Sequence, residues 1–331
     1  MAVKSDLEIF EKTFEKENKQ DGSMTMQASL FTKKFGDEPG EWPVEAGRYR
    51  LLWMPACPHA HKVVIVRKLL GLDKVISLGA TGPFLTPQGW VFSEDPEEVD
   101  PVLGIHYIQD LYLKEDPNYT GRPTVPIIAD TVTGSGVNND HFWLTIYLET
   151  AWKKYHKPEA LDLYPEELRE EIDGLNQFIF TEINAGFYNL GFARNQSAYE
   201  QGFDDLFEAL ESLDKRLAHS RYLFGEEITD SDVRLFPSLA RYDVVYYYQF
   251  KANKKSLRDF PNLWAYARDL YQIPAFKEST DFDFIKRSYQ MSPHLKPLWG
   301  NVNAILSKGP EIESWNTPHG RGREKNGRGN N

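Results

Sequence analysis

Sulfur is scarce in this chain: one cysteine, Cys57, and 5 methionines among 331 residues. A lone thiol excludes an internal disulfide framework and any intramolecular Cys-x-x-Cys redox couple. No apolar run approaches the roughly 18 to 20 residues that a membrane span requires. No N-terminal stretch has the form of a signal peptide, so no membrane association and a cytoplasmic setting are expected. Basic charge is also short. The 38 Lys and Arg against 49 Asp and Glu leave a net charge of -11, with no clustered cationic face for phosphates, and nucleic acid is not expected as a partner. No internal repeat is visible. What remains is a chain with 41% hydrophobic residues, long enough for about two domains and a sizeable core. Its aromatic share of 14% is more than a core alone demands and suggests packed interfaces or stacking pockets.

The pattern changes twice along the chain. Residues 1–45 are charged and without a sustained period, and read as an irregular arm, with order beginning near Tyr49. Residues 50–54 read as a buried strand. After Pro58, Val63, Val64, Val66, Leu69 and Leu70 form a helical stripe that stops at Gly71. Residues 75–78 read as a strand, 80–101 as a long loop carrying Trp90, 105–113 as a helix, 125–129 as a strand, 134–137 as a connection into a last strand, and 139–149 as a helix. That order is the arrangement of a thioredoxin-like domain, placed at 46–152. From about Pro165 strands disappear, and helices are expected over 166–193, 198–220, 230–250, 263–271 and 275–289, an all-helical domain placed at 165–297. Thr229 lies three residues before Asp232, which is the spacing of a capping box. Residues 298–331 form a C-terminal extension. From Lys308 on it is rich in Pro, Gly, Asn and Arg, and its end is expected to be disordered.

Cys57 stands where the first strand gives way to the first helix. A thiol there meets the positive end of the helix dipole and the unsatisfied first-turn N–H groups, both of which favour thiolate. In Cys57-Pro58-His59-Ala60 the second cysteine of a redox motif is replaced by Ala60, so a resolving thiol has to come from outside. Cys57, His59 and His61 do not make a metal site, because residues two apart on a helix point to nearly opposite sides. Val125-Pro126 at the start of a thioredoxin-type strand can be cis, leaving backbone groups free to pair with a bound peptide. At Asn138-Asn139-Asp140-His141 a helix start offers N–H groups to a carboxylate and a carboxylate to an amine, or simply caps itself. Arg122, three residues before Val125, can reach a ligand carboxylate with its forked donors.

Taken together these segments resemble the glutathionyl-hydroquinone reductases, the Xi class of glutathione transferases. The likeness runs over 49–297 and rests on Cys57-Pro58-x-Ala60-His61, Trp90, and Asp116-Pro117-x-Tyr119-x-Gly121-Arg122-x-Thr124-Val125-Pro126. It continues through Ile183-Asn184-x-Gly186-x-Tyr188, Arg221-Tyr222-Leu223-Phe224-Gly225, Asp232-Val233-Arg234-Leu235-Phe236-Pro237, Pro261-Asn262-Leu263-Trp264 and Asp281-Phe282-Asp283-x-Ile285-Lys286-Arg287-x-Tyr289. The resemblance implies a thioredoxin-like N-terminal domain, an all-helical C-terminal domain, a homodimer, and glutathione as co-substrate without a metal. It implies Cys57 as nucleophile and Tyr188 as the tyrosine that handles the substrate proton. Tyr246 and Tyr289 match the tyrosines that lower the cysteine's pKa, and Trp90, Arg122, Val125, Asp140 and His141 take the glutathione positions. The implied reaction cleaves glutathionyl-hydroquinones, small aromatic conjugates, through a mixed disulfide that a second thiol resolves. The chain departs from the pattern at Asp140-His141, where the family usually has Glu-Ser, at the bulkier Phe142-Trp143, and at 298–301. Glutathione or another low-molecular-weight thiol therefore both remain open. So do a monothiol deglutathionylating oxidoreductase, which needs no aromatic pocket, and a non-catalytic binding protein of the same fold.

Overall fold

The computed structural model describes residues 17, 19–86, 88–295 and 305–322. Its first half is built on strand β1, Tyr49–Trp53, followed by helix α1, Pro58–Leu69, and strand β2, Ile76–Ala80. Inside the expected long loop lies a small hairpin of β3, Leu85–Thr86, and β4, Gly89–Trp90. Helix α2, Ile108–Glu115, leads to β5, Ile127–Asp130, β6, Ser135–Asn138, and α3, Leu144–Thr150. The sheet order is β2-β1-β5-β6, with β1 parallel to β2 and antiparallel to β5, and β5 antiparallel to β6. A parallel pair needs a crossover, and α1 supplies it. Every residue of β1 is buried, so even Arg50 is satisfied internally, 2.7 Å from the fully buried carboxylate of Asp100.

The second half is helical. Helix α4, Arg169–Phe178, passes through a π-helical stretch at Ile179–Asn184 into α5, Ala185–Gly191, and is followed by α6, Gln196–Leu217. Helix α7, Asp230–Arg241, opens on the expected capping box, with the Thr229 backbone N–H donating to the Asp232 carboxylate at 2.8 Å, and ends in a second π stretch, Tyr242–Tyr246. Helices α8, Pro261–Tyr271, α9, Pro274–Lys277, and α10, Phe282–Met291, complete it. The break in the expected helix 275–289 comes at Asp281, whose carboxylate caps the Phe284 N–H at 2.8 Å. Helix α1 packs against both α3 and α7, and one hydrophobic core runs through both halves. No helix among the described residues is long and apolar enough to cross a membrane.

Both ends depart from expectation. Within the arm, Met24, Phe31 and Phe35 are buried. Phe31 meets the Tyr112 ring edge-on at 5.0 Å, and its backbone N–H donates to the Asn139 side chain at 2.8 Å. Three large apolar groups are enough to tie an aperiodic segment to the sheet edge, so order begins before Tyr49. The C-terminal segment 305–322 likewise packs on the helical half. Trp315 is 3% exposed, with its ring against Phe236, Trp264, Tyr271 and Phe282. The Arg321 guanidinium donates to the carbonyls of Leu217 and Arg221 at 2.9 and 2.8 Å. The expected disorder is therefore corrected as far as Gly322. Residues 323–331, the departure at 298–301, and residues 1–16 and 18 of the arm lie outside the described residues.

Candidate active site

Cys57 is the N-cap residue of α1, with extended backbone angles, and Pro58 fills the first helical position, where the missing N–H costs nothing. The thiol is half-buried and 3.5 Å from the Val125 carbonyl, to which it donates; the Val125-Pro126 peptide is cis. It opens on a cavity of about 120 Å³ whose lining includes Met54, His59, Trp90, Arg122, Val125 and His141 from the first half, and Tyr188 and Tyr289 from the second. Met24, Met26 and Gln27 of the arm close the remaining side. The helix start does not act alone on this thiol. Burial pushes the Cys57 thiol up, outweighing the backbone N–H groups of Ala60 and His59 and the charges of Arg241 and Arg122, which pull it down. Alkylation of Cys57 in the empty enzyme is accordingly expected to show a pH midpoint above the ordinary value of about 8.5. With no second cysteine the label reports one site, and a midpoint below neutrality would contradict the dominance of burial.

Trp90 sits on β4, nearly buried and facing the cavity. Arg122 reaches the same space but is already paired, 2.7 Å from the buried carboxylate of Glu17. Gln27 holds it from the other side, accepting from the Arg122 N–H at 2.9 Å and donating to its carbonyl at 3.0 Å. Asp140 faces inward less than expected. Its carboxylate caps the N–H groups of Phe142 and Trp143 at 3.1 and 3.2 Å, and the cavity wall at this point is His141. The shorter side chain folds back on its own backbone, as Asp does at helix starts.

The three tyrosines are brought together. Tyr188 on α5 and Tyr289 on α10 share a hydrogen bond of 2.6 Å between their hydroxyls at the cavity wall. Tyr246, in the π stretch after α7, is completely buried behind them, its ring 6.2 Å from that of Tyr188 and 5.9 Å from that of Tyr289. Burial holds all three phenols well above their usual range, so each keeps its proton and can act as a donor.

Two residues of the site, Arg241 and His59, are not among those the sequence points to. Arg241, the last residue of α7, is wholly buried and donates to the carbonyls of Ala56 and Pro55 at 2.8 and 2.9 Å, clamping the loop before Cys57. His59 is 6% exposed, and its ring lies edge-on to that of His141 at 5.1 Å; the Nε2 atom of each is buried without a hydrogen-bond partner among the described residues. Both are neutral. His141 is held down to about 3 by burial and the charges of Lys62, Arg234 and Arg122, and His59 well below its usual value by burial and then His141 and Lys62. The resemblance points to His141, whereas the only hint of His59 in the sequence is its place beside the cysteine. Among the described residues no group of three or more His, Cys, Asp or Glu is placed to hold a metal ion.

Against known proteins, residues 196–269 match the family model for the glutathione S-transferase C-terminal domain. The chain is 37% identical over 284 residues to glutathionyl-hydroquinone reductase YqjG of Escherichia coli, covering 85% of this chain and 85% of that protein. The glutathione-bound structure of YqjG superposes with a TM-score of 0.81 at 34% identity, over 88% of this chain and 96% of that one. The glutathione-S-transferase Xi from Phanerochaete chrysosporium superposes with a TM-score of 0.84 at 37% identity, over 93% of this chain and 98% of that one.

Proposed function

The chain belongs to the glutathionyl-hydroquinone reductases, the Xi class of glutathione transferases, and on that premise we propose that it reductively cleaves glutathionyl-hydroquinones through Cys57. It is an enzyme with the fold of that class and a glutathione-dependent reductase. In the proposed reaction the Cys57 sulfur attacks the thioether sulfur of the conjugate. A Cys57–glutathione disulfide forms, the carbon–sulfur bond to the ring breaks, and the thiol proton ends on the ring carbon, so the aromatic product leaves as free hydroquinone. Carbon is a poor leaving group, and protonation as the bond breaks is work for a positioned donor. Tyr188, kept protonated by burial and hydrogen-bonded to Tyr289, is that donor in this reading. A second glutathione then attacks the mixed disulfide, giving oxidised glutathione and restoring the Cys57 thiol. Two electrons thus pass from thiol to ring per turnover.

Trp90, Arg122, Val125 and the backbone at Asp140-His141 hold the thiol in this reading. The N–H groups of Val125 and His141 make no backbone hydrogen bond among the described residues. Tyr246 supports the other two tyrosines from behind. A homodimer and a cytoplasmic setting belong to the same proposal and rest on family membership alone. The observation that carries it is the meeting of the only thiol with the Tyr188–Tyr289 hydroxyl pair in one aromatic-lined cavity. To test it, the enzyme is mixed with glutathionyl-hydroquinone without free thiol and its intact mass recorded. One glutathione adduct per chain with release of one hydroquinone is expected, and added glutathione, more effectively than other small thiols, should remove the adduct. Adducts from protein disulfides but none from the aryl conjugate would instead identify a deglutathionylating oxidoreductase.

A further inference from the structure

The two imidazoles on the cavity wall have no part in the reaction described so far. They lie on one side of it. Trp90 of the β3–β4 hairpin and Val125 before β5 line the cavity with the thiol, whereas His59 and His141 face the helical half. The His59 ring is 6.1 Å from that of Phe180 and 6.4 Å from that of Tyr188, and the His141 ring is 5.5 Å from that of Phe180. His141 and Tyr188, with Met24, Met26 and Gln27 of the arm, also bound a second cavity of about 350 Å³ that continues along Phe180, Ala185 and Asn189. The imidazole pair therefore shares the cavity of Cys57 on the face next to the proton-donating tyrosine, and His141 also borders the second cavity.

A buried polar atom without a partner is costly, and among the described residues the Nε2 atoms of His59 and His141 are two such atoms on neighbouring rings of one cavity. We propose that the His59 and His141 side chains form the hydrogen-bonding site for the ring hydroxyls of the aromatic substrate, while the backbone N–H of His141 remains with the thiol. This assignment rests on the proposed cleavage of aryl conjugates. A neutral imidazole has one N–H donor and one bare nitrogen acceptor, which matches a phenolic hydroxyl that both donates and accepts. Lys62, Arg234 and Arg122 lie around His141; burial pushes the Lys62 ammonium down, Arg234 is paired with Asp230, and Arg122 with Glu17. Burial first, and neighbouring charges second, keep the rings neutral, so each imidazole retains one donor and one acceptor nitrogen for a ring hydroxyl.

The test compares two reactions of the full chain. Cleavage of glutathionyl-hydroquinone uses the ring site, while disulfide exchange of Cys57 with oxidised glutathione, followed by intact mass, uses the thiol site alone. In His59→Phe and His141→Phe, which keep an aromatic ring of similar size, kcat/KM for the conjugate is expected to fall about tenfold further than the exchange rate constant, the loss of one hydrogen bond. His141→Gln, which returns an amide donor, should recover most of that difference. Equal losses in both reactions would assign the pair to the thiol end, and no loss in either would make the rings packing groups; both overturn the proposal. Wild-type enzyme that exchanges with oxidised glutathione but leaves the conjugate intact removes the reading beneath it and this assignment with it. A conjugate that is cleaved normally while the histidine variants show equal losses sinks this assignment alone.

Discussion

Cys57→Ser is expected to lower the turnover of aryl thioethers by at least about a thousandfold and to abolish the glutathione adduct altogether. The attacking atom has to become bonded to sulfur, and a serine hydroxyl, far less acidic than a thiol and with no stable oxygen–sulfur product to form, cannot replace it. No other sulfur nucleophile exists in the chain, since the 5 methionines are thioethers. The fold should be unaffected. The side chain is half-buried at a cavity wall, contributes no cap to α1, and a hydroxyl can still donate to the Val125 carbonyl. Loss of turnover with unchanged thermal unfolding is therefore the expected pair of results. Turnover surviving in the serine variant would sink the mechanism, because the remaining groups can bind and protonate a ring but cannot take the sulfur from it.

Where local rules dominate, the sequence was a good guide. The strand, the helix started by Pro58 and the capping box at Thr229 all form as their residues dictate, and Cys57 sits at the helix start. Most of the departures depend on groups far away in the chain. The π stretches at Ile179–Asn184 and Tyr242–Tyr246 interrupt expected single helices and precede or carry the site tyrosines. One extra residue in a helical turn leaves little trace in a hydrophobic period. Composition described the ends of the chain as polar and irregular, yet Phe31 and Phe35 at one end and Trp315 and Arg321 at the other anchor them. The acidity of Cys57 is expected from the helix dipole, the first-turn N–H groups and, through the resemblance, Tyr246 and Tyr289. The arm with Met24 and Met26 and the helical half remove the solvent around the thiol, and that outweighs the dipole. Asp140 shows the reverse, a local preference for capping that overrides an expected ligand role.

Arg241 is where these long-range effects meet, and Arg241→Met is expected to have the largest effect on stability. The guanidinium is completely buried, and among the described residues it is held by carbonyls rather than a carboxylate: Ala56 at 2.8 Å, Pro55 at 2.9 Å and Pro237 at 2.7 Å. It also lies 3.2 Å from Nδ1 of His61, whose Nε2 meets the Ser279 hydroxyl at 3.0 Å; burial, then the Arg241 charge, keeps that ring neutral. One side chain thus ties the loop that presents Cys57 to α7 and, through His61, to the segment before α10. Methionine fills similar space but strands the buried carbonyls of Pro55 and Ala56, each costing about 1–3 kcal/mol unmade, partly offset because a buried charge is also removed. A net loss of about 3–5 kcal/mol in denaturant unfolding is expected. The same substitution removes a charge that opposes the effect of burial on the thiol, so the Cys57 alkylation midpoint should move to still higher pH. Arg241→Lys separates the two effects. It keeps the charge, and with it most of the midpoint, but an ammonium cannot reproduce the forked contacts to Pro55 and Ala56, so stability should still fall. If the methionine variant unfolded like the wild type while the midpoint moved, the clamp would be dispensable and only the field would matter. If stability fell while the midpoint stayed, the charge of Arg241 would not reach the sulfur.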